Sequence, residues 1–119
     1  MSTRKFHIGD VLGIVLSRTL SPKGNDGLRD IASFVKGERI VELWNVFSED
    51  LRQYLRKEFP QFTTPEMESE VKVLARCLAL IGDEDKKQRD IVMEAWLKKQ
   101  IHIHKGVPND GMLEVRPMS

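Results

Sequence analysis

A turn-rich stretch between two apolar segments contains the residues best suited to bind a ligand. The turn covers 21–27 and lies at a predicted strand-to-helix junction, where backbone N–H groups and the helix dipole favour an anion. Together with nearby cations, these groups favour a phosphate or carboxylate as the ligand. The turn is not a P-loop, because the Gly-x4-Gly-Lys-Ser/Thr spacing is absent. The alternative is a plain chain reversal in which Asp26 and Asp30 neutralise these cations. The predicted ligand-binding residues are Arg18, Ser21, Lys23, Gly24 and Arg29.

Three histidines raise the question of a metal site. His102 and His104 are two residues apart, so their rings would share one side of an extended segment, and His7 or Asp110 would have to complete the ligand set. No spacing specifies a third ligand, and whether the histidines converge is left open by the sequence. We therefore predict that His102 and His104 face solvent in a loop, with no metal and no cofactor.

The sequence also lacks a recognisable catalytic arrangement. Cys77 has no base near it in sequence, and its position on a predicted helix favours a buried, inert thiol. No Ser-His-Asp set, paired carboxylate motif or dinucleotide fingerprint is present. We predict no catalytic residues and a protein that is not an enzyme.

Composition places the chain among ordinary globular domains. It has 119 residues, 40% hydrophobic and 31% charged, which fits a single domain over 1–119. The formal net charge of +1 gives no electrostatic reason for non-specific binding to nucleic acid or to an anionic membrane. The single cysteine suits a reducing compartment, and no signal-like or membrane-spanning apolar run is seen. The expected location is the cytoplasm, with no membrane partner.

The N-terminal third contains the least regular pattern. The apolar run from Phe6 to Leu20 is interrupted by Gly9 and Gly13, which favours a strand buried on both faces or two short strands with a bend, and disfavours a helix. A helix should follow over 28–35, with Asn25 or Asp26 as its N-cap and Gly37 just after its end.

The remaining pattern predicts three more helices and a closing strand. A long helix is predicted over 38–59, a second from Thr64 to Gly82, and a third after the acidic residues 83–85. Alternation over 112–116 predicts a strand that pairs with the N-terminal segment. The predicted fold is α+β: a small antiparallel β-sheet from the N- and C-terminal segments, packed with about four α-helices. The residues predicted to be buried on the helices are Leu43, Trp44, Phe47, Leu74, Leu78, Ile91 and Ala95.

Parts of the sequence resemble a group of small uncharacterised proteins of tailed phages and prophages. The similar blocks are Phe6-His7-Ile8-Gly9-Asp10-Val11-Leu12, then Ser21-Pro22, Gly27 to Ile31 and Phe34 to Gly37, and near the C-terminus Trp96-Leu97, Gln100 and Leu113 to Pro117. The similarity covers roughly the first third well and the middle weakly. It implies a phage origin; the family has no assigned activity or catalytic residues.

Three functional hypotheses follow. The first is a non-catalytic accessory protein acting inside the bacterial host, which either inhibits a host protein, as counter-defence proteins such as CRISPR inhibitors of this size do, or sequesters a small anionic ligand. The second is a nucleic-acid-associated factor using Arg52, Arg56 and Lys57, or Lys86, Lys87 and Arg89, although acids alternate with these residues. The third is a small metal-dependent enzyme centred on the histidines. Association into a homo-oligomer is left open, since small cores often gain burial that way.

Overall fold

The two ends of the chain pair with each other. In a computed structural model, which describes residues 2–18, 20, 23–42, 46–104 and 106–118, strand β1 (Arg4–His7) runs antiparallel to strand β2 (Met112–Val115). Phe6 faces Leu113 across the ladder, and both side chains are buried. The prediction of one small sheet made by the two terminal segments is therefore confirmed, although the N-terminal strand is shorter and earlier than predicted.

The apolar run after β1 is a helix, so the predicted buried strand over 11–16 is wrong. Helix α1 (Ile8–Leu16) is buried from Ile8 to Val15, and the His7 ring caps it by accepting a hydrogen bond from the Gly9 N–H at 3.0 Å. A helix surrounded on all sides by other elements has no polar face, which removes the periodicity that normally identifies it. Gly13 does not break the helix; a Cβ there would lie 2.6 Å from Leu28 Cδ2 and 2.8 Å from the Arg18 carbonyl oxygen.

The next two helices pack around α1. Helix α2 (Asn25–Lys36) agrees with the predicted one and ends at Gly37 in the left-handed conformation, φ 72°, but its N-cap is Gly24 rather than Asn25 or Asp26. Helix α3 (Glu49–Glu58) occupies only the last part of the predicted 38–59 helix. Residues 39–42 are instead held against α2, where the Ile40 N–H donates to Ser33 Oγ at 3.0 Å.

A short 3-10 turn (Pro60–Phe62) leads into a helical hairpin. Helix α4 (Pro65–Ile81) is capped by Thr64, whose hydroxyl oxygen accepts a hydrogen bond from the Met67 N–H. Helix α5 (Lys86–Ile103) is capped by Asp85, whose carboxylate accepts a hydrogen bond from the Gln88 N–H. Both starts agree with the predictions. The described residues thus contain five α-helices rather than four and form a mostly helical α+β fold. In this part of the chain no helix is long and apolar enough to cross a membrane.

The predicted core is confirmed only in part. Leu74 is buried, Phe47 and Leu78 are half-buried, and Ile91 and Ala95 are exposed, so the prediction is wrong for the last two. The inner face of α5 consists of Trp96, Leu97 and Gln100, because the first turns of this helix project beyond the core. The predicted positions Leu43 and Trp44 lie outside the described residues.

Candidate functional site

The predicted anion-binding junction lies between two helices rather than between a strand and a helix. Helix α1 ends at Ser17, which adopts the left-handed conformation, φ 55°, and Gly24 then starts α2. Arg18 lines one cavity of the molecule, whereas Lys23 and Gly24 line another. Ser21 lies outside the described residues. The structure therefore does not bring the predicted ligands to a single site.

The cations and acids next to this junction largely engage one another. Arg29 Nη1 donates to Asp26 at 3.0 Å, and its Nε donates to the Val41 carbonyl at 3.1 Å. The Asp30 carboxylate accepts hydrogen bonds from both terminal nitrogens of Arg4, and the shorter one joins Nη2 to Oδ2 at 2.7 Å. Arg29 thus orders the connection after α2, and its guanidinium is already supplied with acceptors.

Four cationic side chains from three helical regions surround a different cavity, which we call the basic pocket. Arg18 follows α1, Arg52 and Arg56 lie one turn apart on the same face of α3, and Lys72 lies on α4. The 3-10 turn contributes Phe62, which is fully buried beneath them. The cavity has a volume of about 220 Å3. Its lining residues are Val15, Leu16, Arg18, Arg52, Arg56, Phe62, Thr63, Glu68, Val71 and Lys72.

The pocket cations are only partly neutralised by the protein. Arg52 Nη2 donates to Glu49 at 2.6 Å, while its buried Nε–H has no hydrogen-bond partner among the residues that the structure describes. A hydrogen bond from Gln53, together with Arg52 and Arg56 nearby, lowers the pKa of Glu49. Among the described residues, the side chains of Arg18, Arg56 and Lys72 make no hydrogen bond or direct ion pair. Like charges repel one another here, so an anion in the pocket would be stabilised by all four.

Two oxygen-bearing side chains complete the pocket. Thr63 donates its hydroxyl hydrogen to the Pro60 carbonyl at 2.8 Å, so towards a ligand it can only accept. Glu68 is exposed and, within the described part of the chain, makes no side-chain hydrogen bond or ion pair. The pocket therefore offers strong donors for an anion together with one carboxylate acceptor.

The chain matches no family model, no curated protein and no solved structure. Its own geometry must therefore decide between the basic pocket and the second cavity.

The second cavity, which we call the α5 groove, is larger and electrically balanced. Its volume is about 810 Å3, and its apolar floor is formed by Met93, Leu97 and Ile101 on one face of α5. Three lysines and three carboxylates line it, and Lys98 already pairs with Glu94 at 3.2 Å. This balance gives no preference for an anion. The polar lining residues are His7, Lys23, Lys86, Asp90, Glu94, Lys98, Asn109 and Asp110.

The three histidines have different surroundings, and the described residues contain no group of three potential ligands suited to a metal ion. His7 caps α1, His102 is exposed, and His104 packs edge-on against the Phe62 ring with centroids 5.1 Å apart. Cys77 is exposed on α4, so the prediction that it is buried is wrong. The metal-dependent enzyme hypothesis thus gains no support from the position of these side chains.

Sequence reasoning named parts of the basic pocket without joining them. Arg18 belonged to the predicted junction, and Arg52 and Arg56 belonged to the nucleic-acid hypothesis, where their four-residue spacing was the visible signal. Lys72 was missed, because its approach to α3 depends on tertiary packing. Arg89, named in the same hypothesis, is occupied structurally, since it donates to the Leu78 carbonyl at 2.7 Å near the end of α4.

Proposed function

We propose that this protein is a non-catalytic, phage-encoded binding protein that acts in the cytoplasm of the bacterial host and sequesters a small anionic ligand. The observation that supports this proposal is the basic pocket, which Arg18, Arg56 and Lys72 line without making a hydrogen bond or direct ion pair in the described structure. The phage and host parts of the proposal rest on the sequence resemblance described above. Inhibition of a host protein, as a counter-defence factor would do, is the alternative within the same class.

Anion binding by the pocket follows from the number and type of its donors. An arginine guanidinium group can bind two oxygens of a phosphate in bidentate fashion, and a lysine ammonium adds a mobile point charge. Arg52 and Arg56 project from one helix face, so both can meet an anion that enters between α3 and α4. The apolar floor around Phe62 and Val71 lowers the local dielectric and strengthens these contacts.

Calorimetric titration with pyrophosphate tests the proposed site. The double variant Arg56→Gln, Lys72→Gln should weaken binding roughly tenfold or more, because each charge-assisted hydrogen bond contributes about 1.5–3 kcal/mol. The double variant Lys23→Gln, Arg29→Gln removes the same total charge from the predicted junction and should leave the affinity nearly unchanged.

The opposite pattern, with binding lost in the Lys23 and Arg29 variant alone, would return the site to the junction. Equal losses in both variants would indicate only a general charge effect and would count against a built pocket. Thermal unfolding of each variant verifies that the fold is retained.

The nucleic-acid-associated factor remains the second candidate function, supported by one observation. Arg52 and Arg56, which the sequence assigns to that hypothesis, lie in the pocket beside two further cations. Counterion release predicts that the binding of a single-stranded oligonucleotide would weaken steeply as salt is raised.

A further inference from the structure

The shape and acid content of the basic pocket narrow the class of its ligand. We infer that the pocket takes the phosphate of a small, hydroxyl-bearing phosphomonoester, such as a sugar phosphate, and not a stretch of nucleic acid. This inference rests on the proposed function and adds the chemical identity of the ligand to it.

The cations converge on one recess instead of following a line. Nucleic-acid backbones carry one charge per phosphate in a repeating row, so proteins that bind them present a stripe or groove of cations. Arg18, Arg56 and Lys72 come from three different elements around about 220 Å3. A phosphomonoester carries about −1.5 to −2 charges on one group at neutral pH, which matches several cations around one small cavity.

Among the described residues, the pocket lining has no exposed aromatic ring on which a base can stack. Single-stranded nucleic acid is usually held by exposed aromatic side chains as well as by cations. Phe62 is the aromatic residue of the lining, and it is fully buried and packed against His104 and Phe59. The cavity is also below the roughly 300–1,000 Å3 of pockets for drug-sized ligands, so the organic part of the ligand must be small.

Glu68 indicates what that organic part carries. A carboxylate beside a phosphate site repels the anion, unless it accepts a hydrogen bond from another group of the ligand. Glu68 makes no side-chain hydrogen bond or ion pair in the described structure, and the Thr63 oxygen in the same lining is also available only as an acceptor. Two acceptors in the same lining as the cations fit ligand hydroxyl groups attached near the phosphate.

The test compares ribose 5-phosphate with methyl phosphate, which carries the same phosphate without a hydroxyl group. The wild-type protein should prefer ribose 5-phosphate, and Glu68→Gln should reduce that preference about fivefold, because the amide oxygen accepts a weaker hydrogen bond than the charged carboxylate. Glu66→Gln is the matched control, since Glu66 lies outside the pocket on the same helix and the charge change is identical. Its preference should equal that of the wild type.

Three outcomes would overturn the inference. An equal increase in the affinity for both ligands in Glu68→Gln would show that Glu68 only repels anions. Its carboxylate would then merely offset the charge of Lys72, one helical turn away. Equal wild-type affinities for the two ligands would exclude hydroxyl recognition. Tighter binding of oligothymidylate than of ribose 5-phosphate, lost in Arg56→Gln, Lys72→Gln, would assign the pocket to nucleic acid. In each case pyrophosphate binding separately decides the proposed function.

Discussion

His7 and His104 both act as neutral structural groups. His7 Nδ1 accepts the Gly9 N–H, which places the proton of the neutral ring on Nε2. Partial burial lowers its pKa, and the nearby carboxylates of Asp10 and Asp110 oppose that effect. Burial also lowers the pKa of His104, with Glu70 opposing. Protonation of either ring therefore costs more in the folded protein than in the unfolded chain.

This difference predicts a loss of stability in mild acid. Because the folded pKa values lie below the ordinary histidine value of about 6.5, the unfolded chain binds more protons as the pH falls past that value, and the free energy of unfolding decreases. Urea unfolding between about pH 7.5 and pH 5.5 measures this slope. The double variant His7→Asn, His104→Gln should flatten it, since asparagine retains a capping oxygen.

His102→Gln is the matched control for the pH measurement, because its ring is exposed and makes no hydrogen bond in the described structure. It should leave the slope unchanged. A wild-type stability that stays constant or rises as the pH falls would contradict the assignment of His7 and His104 as buried neutral rings.

At the scale of elements, the α4–α5 hairpin packs into the core only at the end that contains Leu74 and Trp96, and its other end, around 81–86, projects away from the core. Leu74 is 3% exposed and Trp96 is 9% exposed, whereas no residue over 75–95 is buried. Leu78, Val92 and Met93 only half-bury themselves between the two helices. The hairpin therefore depends on a few core contacts near Leu74 and on contacts between its own helices.

Leu74→Ala and Leu80→Ala separate these two regions of the same helix. Leu74→Ala should reduce the free energy of unfolding by about 2–5 kcal/mol through lost burial and a cavity. Leu80, which is 89% exposed, should give a change within about 0.5 kcal/mol on truncation to alanine. Chemical denaturation of both variants provides the comparison. Similar losses at the two positions would mean that the outer face of α4 is covered in solution.

The elements that sequence predicts well are those with local end signals. Thr64 and Asp85 cap the first turns of α4 and α5 with side-chain hydrogen bonds. Gly37 ends α2 by adopting the left-handed conformation. Helix α1 was not predictable in the same way, because it is buried on every side and its sequence therefore shows no helical periodicity. Gly13, which is required by the close contact with Leu28, adds to a pattern that is typical of a buried strand. The basic pocket depends on the position of α1 relative to α3 and α4, so its convergence could not be derived from local signals.

The long helix predicted over 38–59 fails for a tertiary reason. The helical spacing of apolar residues begins at Ile40, which is why the sequence predicts a helix there. In the structure Ile40 is instead buried by packing of its segment on α2. Ser33 accepts the Ile40 N–H, and Arg29 donates to the Val41 carbonyl. Hydrogen bonds to side chains thus replace the bonds that a continuous helix would provide.

At the scale of the whole molecule, the last residues of the chain join elements that are distant in sequence. The Gly111 carbonyl accepts the Ile8 N–H at 2.7 Å, directly at the start of α1. The Tyr54 hydroxyl on α3 lies 2.9 Å from the Arg116 carbonyl, and the Met118 N–H donates to the Val35 carbonyl of α2 at 2.8 Å. The C-terminal segment therefore connects β1, α2 and α3 around α1.

Removal of all residues after Gly111 should consequently destabilise the whole domain and not merely shorten it. The deletion exposes the partners of Leu113 and Val115, which are 5% and 1% exposed, and each such side chain contributes about 1.5–3 kcal/mol by burial. A loss of several kcal/mol is a large part of the roughly 5–15 kcal/mol that stabilises a typical domain. Tyr54→Phe in the full chain is the control, since it removes only the hydroxyl contacts with the tail and with Glu58 and should cost about 0.5–1.5 kcal/mol. Urea unfolding should give a far lower midpoint for the deletion than for Tyr54→Phe, because the sheet is lost only in the former. An unchanged melting temperature in the deleted protein would show that β1 and α1 are held without β2.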